Sequence, residues 1–106
     1  MPQAPDRGSV WIVDLGMAAK VRPGLVLNVP TEPADRVLVT VVPHTTSLNG
    51  TRFEIPSQAK FLNASGAFDA QRIVSLSRTR LIRRLGILDA TSLAEVEEAV
   101  RAWLGL

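Results

Sequence analysis

Apolar and polar positions follow two different repeats along the chain. From residue 9 to residue 88, short apolar runs with the two-residue alternation of strands are broken by clusters of Gly, Pro, Asn, Asp and Ser. Beyond Thr91 the repeat becomes helical. Ser9-Val-Trp-Ile-Val-Asp-Leu15, rich in β-branched and aromatic residues, predicts a first strand. Gly16 to Pro23 reads as a loop, Gly24 to Val29 as a second strand, and Pro30 to Asp35 as a turn. Arg36 to Val42 contains the longest β run, VLVTVV, and predicts the centre of a sheet. The pair Asn49-Gly50 predicts a tight turn into a fourth strand, Thr51 to Ile55. After Pro56 the pattern loosens. Lys60 to Leu62 predicts a short strand, Asn63 to Gly66 a turn, Ala70 to Leu76 a strand and Ser77 to Arg80 a single helical turn. Leu81 to Leu88 predicts a last strand, because Gly86 interrupts a segment already short for a helix.

The helix is the clearest element. Thr91-Ser92 predicts its start, with Ser92 and Glu95 at capping-box spacing. Leu93, Val96, Val100, Trp103 and Leu104 then share one face. Several short strands followed by one amphipathic helix predict a small, bent sheet or barrel with the helix packed on it. Residues 1–7, MPQAPDR, have two Pro and no period, and predict a loose arm on a single domain spanning 1–106.

Composition narrows this picture. A chain of 106 residues predicts one domain, and with three Phe, two Trp and no Tyr its core rests on Val, Leu, Ile and Ala. The absence of Cys excludes disulfides, thiol catalysis and zinc–thiolate sites. One His and dispersed carboxylates argue against a metal site. No apolar run reaches membrane-spanning length and no signal peptide is evident, so a soluble, cytoplasmic protein is expected. The net charge of +2 is unevenly spread, and ten of the twelve basic residues are Arg. Five of them (72, 78, 80, 83 and 84) fall in a stretch without acids, whereas Glu95, Glu97 and Glu98 make the C-terminal segment acidic. Arg suits bidentate phosphate contact, so the stretch fits a polyanion partner, or equally a solvated surface with local ion pairs.

There is no nucleophile elbow, no glycine-rich phosphate loop and no paired carboxylate motif. The candidate chemistry is Arg-based. Arg22 precedes Pro23, which biases it toward an extended backbone at the mouth of the second strand. His44, Thr45, Thr46 and Ser47 follow the valine run of the central strand. Hydroxyls and free N–H groups at such an end can receive a phosphate oxygen. Each residue has two open readings: Arg22 as anion binder or ion-paired surface group, Thr45 as phosphate donor or turn former, His44 as base or half-buried strand residue. An Arg and a hydroxyl suffice in kind to cleave RNA, which carries its own 2′-OH nucleophile.

Taken in order, five segments resemble one family, the MazF/PemK toxins. RGSVWIVDLG (7–16) is similar to the family's RGxVWxVDLG opening, KVRPGLVL (20–27) to KxRPxLVL, and VVPHTTS (41–47) to VxPxTS. Residues 71–85 resemble the QIRTxxxxRLxRRLG region, and EVEEAVRAWLGL (95–106) the closing helix. The resemblance implies an SH3-like, partly open β-barrel with a C-terminal helix, acting as a homodimer. It also implies cofactor-free, metal-independent endoribonuclease cleavage of single-stranded RNA, leaving a 2′,3′-cyclic phosphate and a 5′-OH, with a cognate antitoxin as partner. By position it assigns catalysis to Arg22 and Thr45. Lys20, His44, Thr46, Asp69 and Gln71 are further candidates for catalysis or RNA binding. Three departures stand out. The 16–22 loop lacks the family's Glu, Ala70 stands where some members carry Asp (with Asp69 one residue earlier), and His44 replaces an aliphatic residue. The alternative is a non-catalytic, CcdB-like module that binds a protein target.

Overall fold

The computed structural model describes residues 5–16 and 20–106. Strands β1 (Ser9–Asp14), β2 (Val21–Val26), β3 (Leu38–Thr45), β4 (Glu54–Ile55), β5 (Ala67–Asp69), β6 (Val74–Ser77) and β7 (Leu81–Ile87) form one antiparallel sheet. Helix α1 (Ala90–Leu104) closes the chain. The order is β4-β5-β3-β2-β1-β7, with β6 also on β3. One edge of β3 therefore serves two partners: Leu38 to Val41 pair with β6, and His44 and Thr45 pair with β5. This change of partner bends the sheet, as the predicted open barrel requires.

Both prolines expected to end or precede strands lie inside them. β2 begins at Val21, before Pro23, and β3 runs through Pro43 to Thr45. Thr40 turns its N–H and C=O toward β2, bonding Asn28 Oδ1 at 2.9 Å and Leu27 N at 3.0 Å. By alternation the N–H that Pro43 lacks belongs to the opposite edge, at the gap between the β6 and β5 pairings. Proline is tolerated there because it costs no ladder bond. The remaining differences lie in the second half. Residues 60–62 form turns rather than a strand, with Leu62 N bonded to Ala59 O at 3.1 Å. The strand expected over 70–76 is a 3₁₀ turn at Ala70–Arg72 followed by β6. The single turn at 78–80 is present as 3₁₀ helix.

Helix α1 is capped by Asp89, whose carboxylate accepts the Ser92 N–H at 3.0 Å, so the helix starts earlier than the Ser92/Glu95 spacing implies. Gly105 ends it in the left-handed region (φ 72°), returning its N–H to Arg101 O at 2.8 Å. Val96, Ala99 and Val100 pack on Val10, Leu25, Val42, Phe53, Phe68 and Ala70. Trp103 and Leu104, expected on the same face, remain about half exposed, although Trp103 meets the Phe53 ring edge-on at 5.5 Å. On the other side of the sheet Val13, Val26, Val39 and Val41 form a second core with Trp11, Leu15 and Leu81. Of the predicted N-terminal arm, residues 1–4 lie outside the described residues, as do 17–19 of the predicted loop. Arg7 bonds Leu27 O at 2.9 Å and pairs with Glu97 of α1, so the arm is tied down by its last residue. Among the described residues no helix is long and apolar enough to cross a membrane.

Candidate functional site

The β2–β3 ladder decides what meets what. Its register pairs Gly24 with Pro43, Leu25 with Val42 and Val26 with Val41. Carried two residues toward the open end, the same register sets Arg22 opposite Thr45. Arg22 Nη1 donates to Thr45 Oγ1 at 3.3 Å, and Ser47 N donates to the same oxygen at 3.0 Å. With both lone pairs engaged, the Thr45 hydroxyl has one function left, to donate its own proton. Thr45 thus satisfies its own turn and also holds Arg22.

Among the described residues no carboxylate forms an ion pair with Arg22, whereas Arg7, Arg72, Arg80 and Arg101 each pair with one. A half-buried guanidinium that spends a single N–H on a hydroxyl keeps its charge and most of its donors for an external anion.

Other groups frame the pair. Glu54 holds the turn after Thr45, accepting from Asn49 N at 2.8 Å, Gly50 N at 2.7 Å and Thr51 N at 3.0 Å. The Asn49 bond foremost, with those of Thr51 and Gly50, keeps its carboxyl below the ordinary glutamate range. At the end of β1, Asp14 accepts the Gly16 N–H at 2.9 Å and pairs with Arg80 at 3.5 Å. Sequence reading missed Glu54 and Asp14. The glutamate five residues past Asn49 was the available signal, since a carboxylate near a Gly turn is a natural acceptor of its N–H groups.

The remaining candidates separate. Register pairs Thr45 with Ala67 and Glu54 with Asp69, so Thr45, Asp69 and Glu54 lie on one face of this part of the sheet. Asp69 is nearly buried, accepts Gln71 N at 3.1 Å and pairs with Arg72 at 3.4 Å. Gln71, Thr46 and Lys20 are exposed, and Lys20 adopts a left-handed backbone (φ 59°). His44 points to the opposite face and is 3% exposed, its ring edge-on to Phe68 at 5.0 Å. The fold does not bring it to the Arg22–Thr45 pair.

Comparison with known proteins supplies the family. A crystal structure of MazF from Deinococcus radiodurans is 29% identical, with TM-score 0.81, over 99% of this chain and 100% of that one. A MazE–MazF structure from the same organism is 27% identical, with TM-score 0.81, covering 99% of each chain. An endoribonuclease from a mycobacterial species, in complex with its cognate antitoxin, shares the fold at TM-score 0.82 and 24% identity, covering 97% of each chain. A family model for the PemK-like, MazF-like toxins of type II toxin–antitoxin systems matches residues 6–104. That span takes in β1 to α1 and both members of the Arg22–Thr45 pair, and the chain belongs to this toxin family.

Proposed function

We propose that this toxin is an endoribonuclease that cleaves single-stranded RNA at the Arg22–Thr45 pair. The observation that carries the reading is the Arg22 guanidinium, held on a hydroxyl and, among the described residues, in no ion pair with a carboxylate. A phosphodiester seated there meets a fixed cation and the free O–H of Thr45. Attack of the RNA's own 2′-OH on phosphorus forms the P–O2′ bond, and the P–O5′ bond breaks. The 2′-OH gives up its proton and the 5′ oxygen gains one, leaving a 2′,3′-cyclic phosphate and a 5′-OH. Negative charge builds on the non-bridging oxygens, and donors preorganised for that charge are the chain's main contribution. A guanidinium is too weak an acid to serve readily as proton donor, so Arg22 acts through its charge. Thr46 and Gln71, both exposed near the pair in sequence or on the β5 side, are assigned to RNA contact, and Lys20 to the phosphate backbone.

The same reading makes the protein a homodimer with a cognate antitoxin. The MazE–MazF assembly, 27% identical over nearly the whole chain, supports the second partner. The match to MazF-like toxins leaves the CcdB-like binding module unfavoured.

Purified protein in EDTA with a long single-stranded RNA tests this. Discrete fragments with 5′-OH ends are expected. Arg22→Ala and Thr45→Val, each of confirmed fold, should slow cleavage by roughly 10²–10³-fold. Absence of fragments, or equal cleavage by all three proteins, overturns the reading.

A further inference from the structure

We propose that His44 is a positioning residue for Thr45: its uncharged ring, held between Phe68 and Gly66, fixes the end of β3 with the Thr45 hydroxyl on Arg22, and a proton gained by the ring disengages it. The inference rests on the assignment of Arg22 and Thr45 to RNA cleavage.

The two residues share one mechanical support. His44 and Thr45 are the last residues of β3 and pair with Phe68 and Ala67 of β5. Gly66 lies against both. A Cβ built on it would fall on His44 Cε1 and lie 2.7 Å from the Thr45 carbonyl oxygen. The backbone at Gly66 therefore lies close to the ring and the Thr45 peptide at once, with no room for a side chain between them. Any shift of the ring toward this contact moves the strand end that carries the hydroxyl.

The surroundings suit a neutral ring alone. His44 Nε2 is buried without a hydrogen-bond partner. Protonation places N–H on both ring nitrogens and leaves a charged donor with nothing to accept it. The elements around the end of β3 are β2, β4, β5, α1 and the 3₁₀ turn at Ala70–Arg72, whose only buried residue is Ala70. Phe68 lies on β5, Ile55 on β4 is paired with Phe68, and Pro23 on β2 is opposite by the running register. α1 contributes only Ser92, Val96, Ala99 and Val100 to its buried side. The turn at 63–66 is uncharged. The nearest ionic groups along these strands, Arg22, Glu54 and Asp69, alternate to the other face. Burial accordingly pushes the His44 pKa below its ordinary value.

This is the chain's one histidine, so its ring signal titrates alone in an NMR spectrum. Between about pH 8 and about pH 5, the Thr45 methyl signal should move with the same midpoint as the His44 ring. RNA cleavage should fall with that midpoint, by ~10²-fold at full protonation, the scale of a misplaced catalytic group. His44→Phe keeps a planar ring against Gly66 but cannot titrate. It should cleave RNA at neutral pH and lose the acidic fall. A Thr45 methyl that stays still while His44 titrates overturns the proposal. So does a His44→Phe protein with the wild-type pH profile, or a folded one inactive at every pH, which would make the ring itself chemical. If the wild type cleaves no RNA, the ribonuclease reading fails, and the methyl titration still decides the role of His44.

Discussion

Arg22 and Arg80 show how context divides one residue type. Arg80 is spent on Asp14, beside the Gly16 turn, while Arg22 is spent on a hydroxyl. The fork of a guanidinium can bond Thr45 with one nitrogen and a phosphate oxygen with another, whereas a lysine ammonium is a point charge on a flexible stem. Arg22→Lys should therefore retain RNA affinity better than Arg22→Ala and still lose most of the turnover. Single-turnover cleavage rates, beside binding to an uncleavable 2′-deoxy substrate, separate the two effects. A Lys variant with wild-type turnover would mean that charge alone suffices. At this scale the sequence singles out Arg22 and Thr45 through the segments that resemble the family, while their meeting across the β2–β3 ladder is visible only in the structure, since Arg22 reads as a loop residue. The sequence does not reveal the contacts of Glu54 or the Asp69–Arg72 pair, which depend on how turns close. For His44 the sequence offers a half-buried strand position as one of two readings, and the structure buries it further and without a hydrogen bond on Nε2. The full cover depends on the pairing with β5, a distant segment of three residues, and on the Gly66 turn before it.

Elements are held by their partners more than by their own propensities. β3 was legible to Val42, since a run of valines predicts a central strand, but its last residues owe their pairing to β5 across a long connection. β5 itself falls between the turn predicted to Gly66 and the strand predicted from Ala70, because three residues carry almost no periodic signal. Lys60 to Leu62 looked strand-like from its apolar residues, and those side chains are used instead to cover the core from a turn, Phe61 lying against Gly86. The junction of β3 and β5 is where an element-scale test bites. Gly66→Ala forces a methyl onto His44 and the Thr45 peptide, with backbone on one side that cannot swing away. Overpacking of this kind costs about 1–3 kcal/mol. Urea denaturation should show that loss. RNA turnover should fall more than RNA binding, because the site is displaced and its charges are kept. Unchanged stability would show that the turn relaxes and that Gly66 is not a strut.

Across the whole molecule, stability should respond to acid in two separate windows. His44 has its folded-state pKa pushed down by burial, so the unfolded chain takes up the proton first. Stability then begins to fall as the pH drops below about 6.5, the unfolded histidine value, and continues falling until the folded pKa is reached. Glu54 and Asp89 are also depressed, by the N–H groups of Asn49, Thr51 and Gly50 and by those around Ser92 respectively. Their contribution is complete above the unfolded carboxylate values, about 4.3 and 3.9, and is lost as the pH falls through the lower folded values. All three groups thus cost the fold stability in acid, His44 at a higher pH than the two carboxylates. The histidine acts at the β3–β5 junction, Glu54 at the neighbouring turn and Asp89 at the start of α1. A series of thermal melts should show a Tm that is level near neutrality, declines first below about pH 6.5 and declines again below about pH 4. His44→Phe should abolish the first decline and keep the second, whereas Glu54→Gln should keep the first and weaken the second. If His44→Phe leaves the first decline in place, the ring is not the group that titrates there, and the junction is indifferent to its charge.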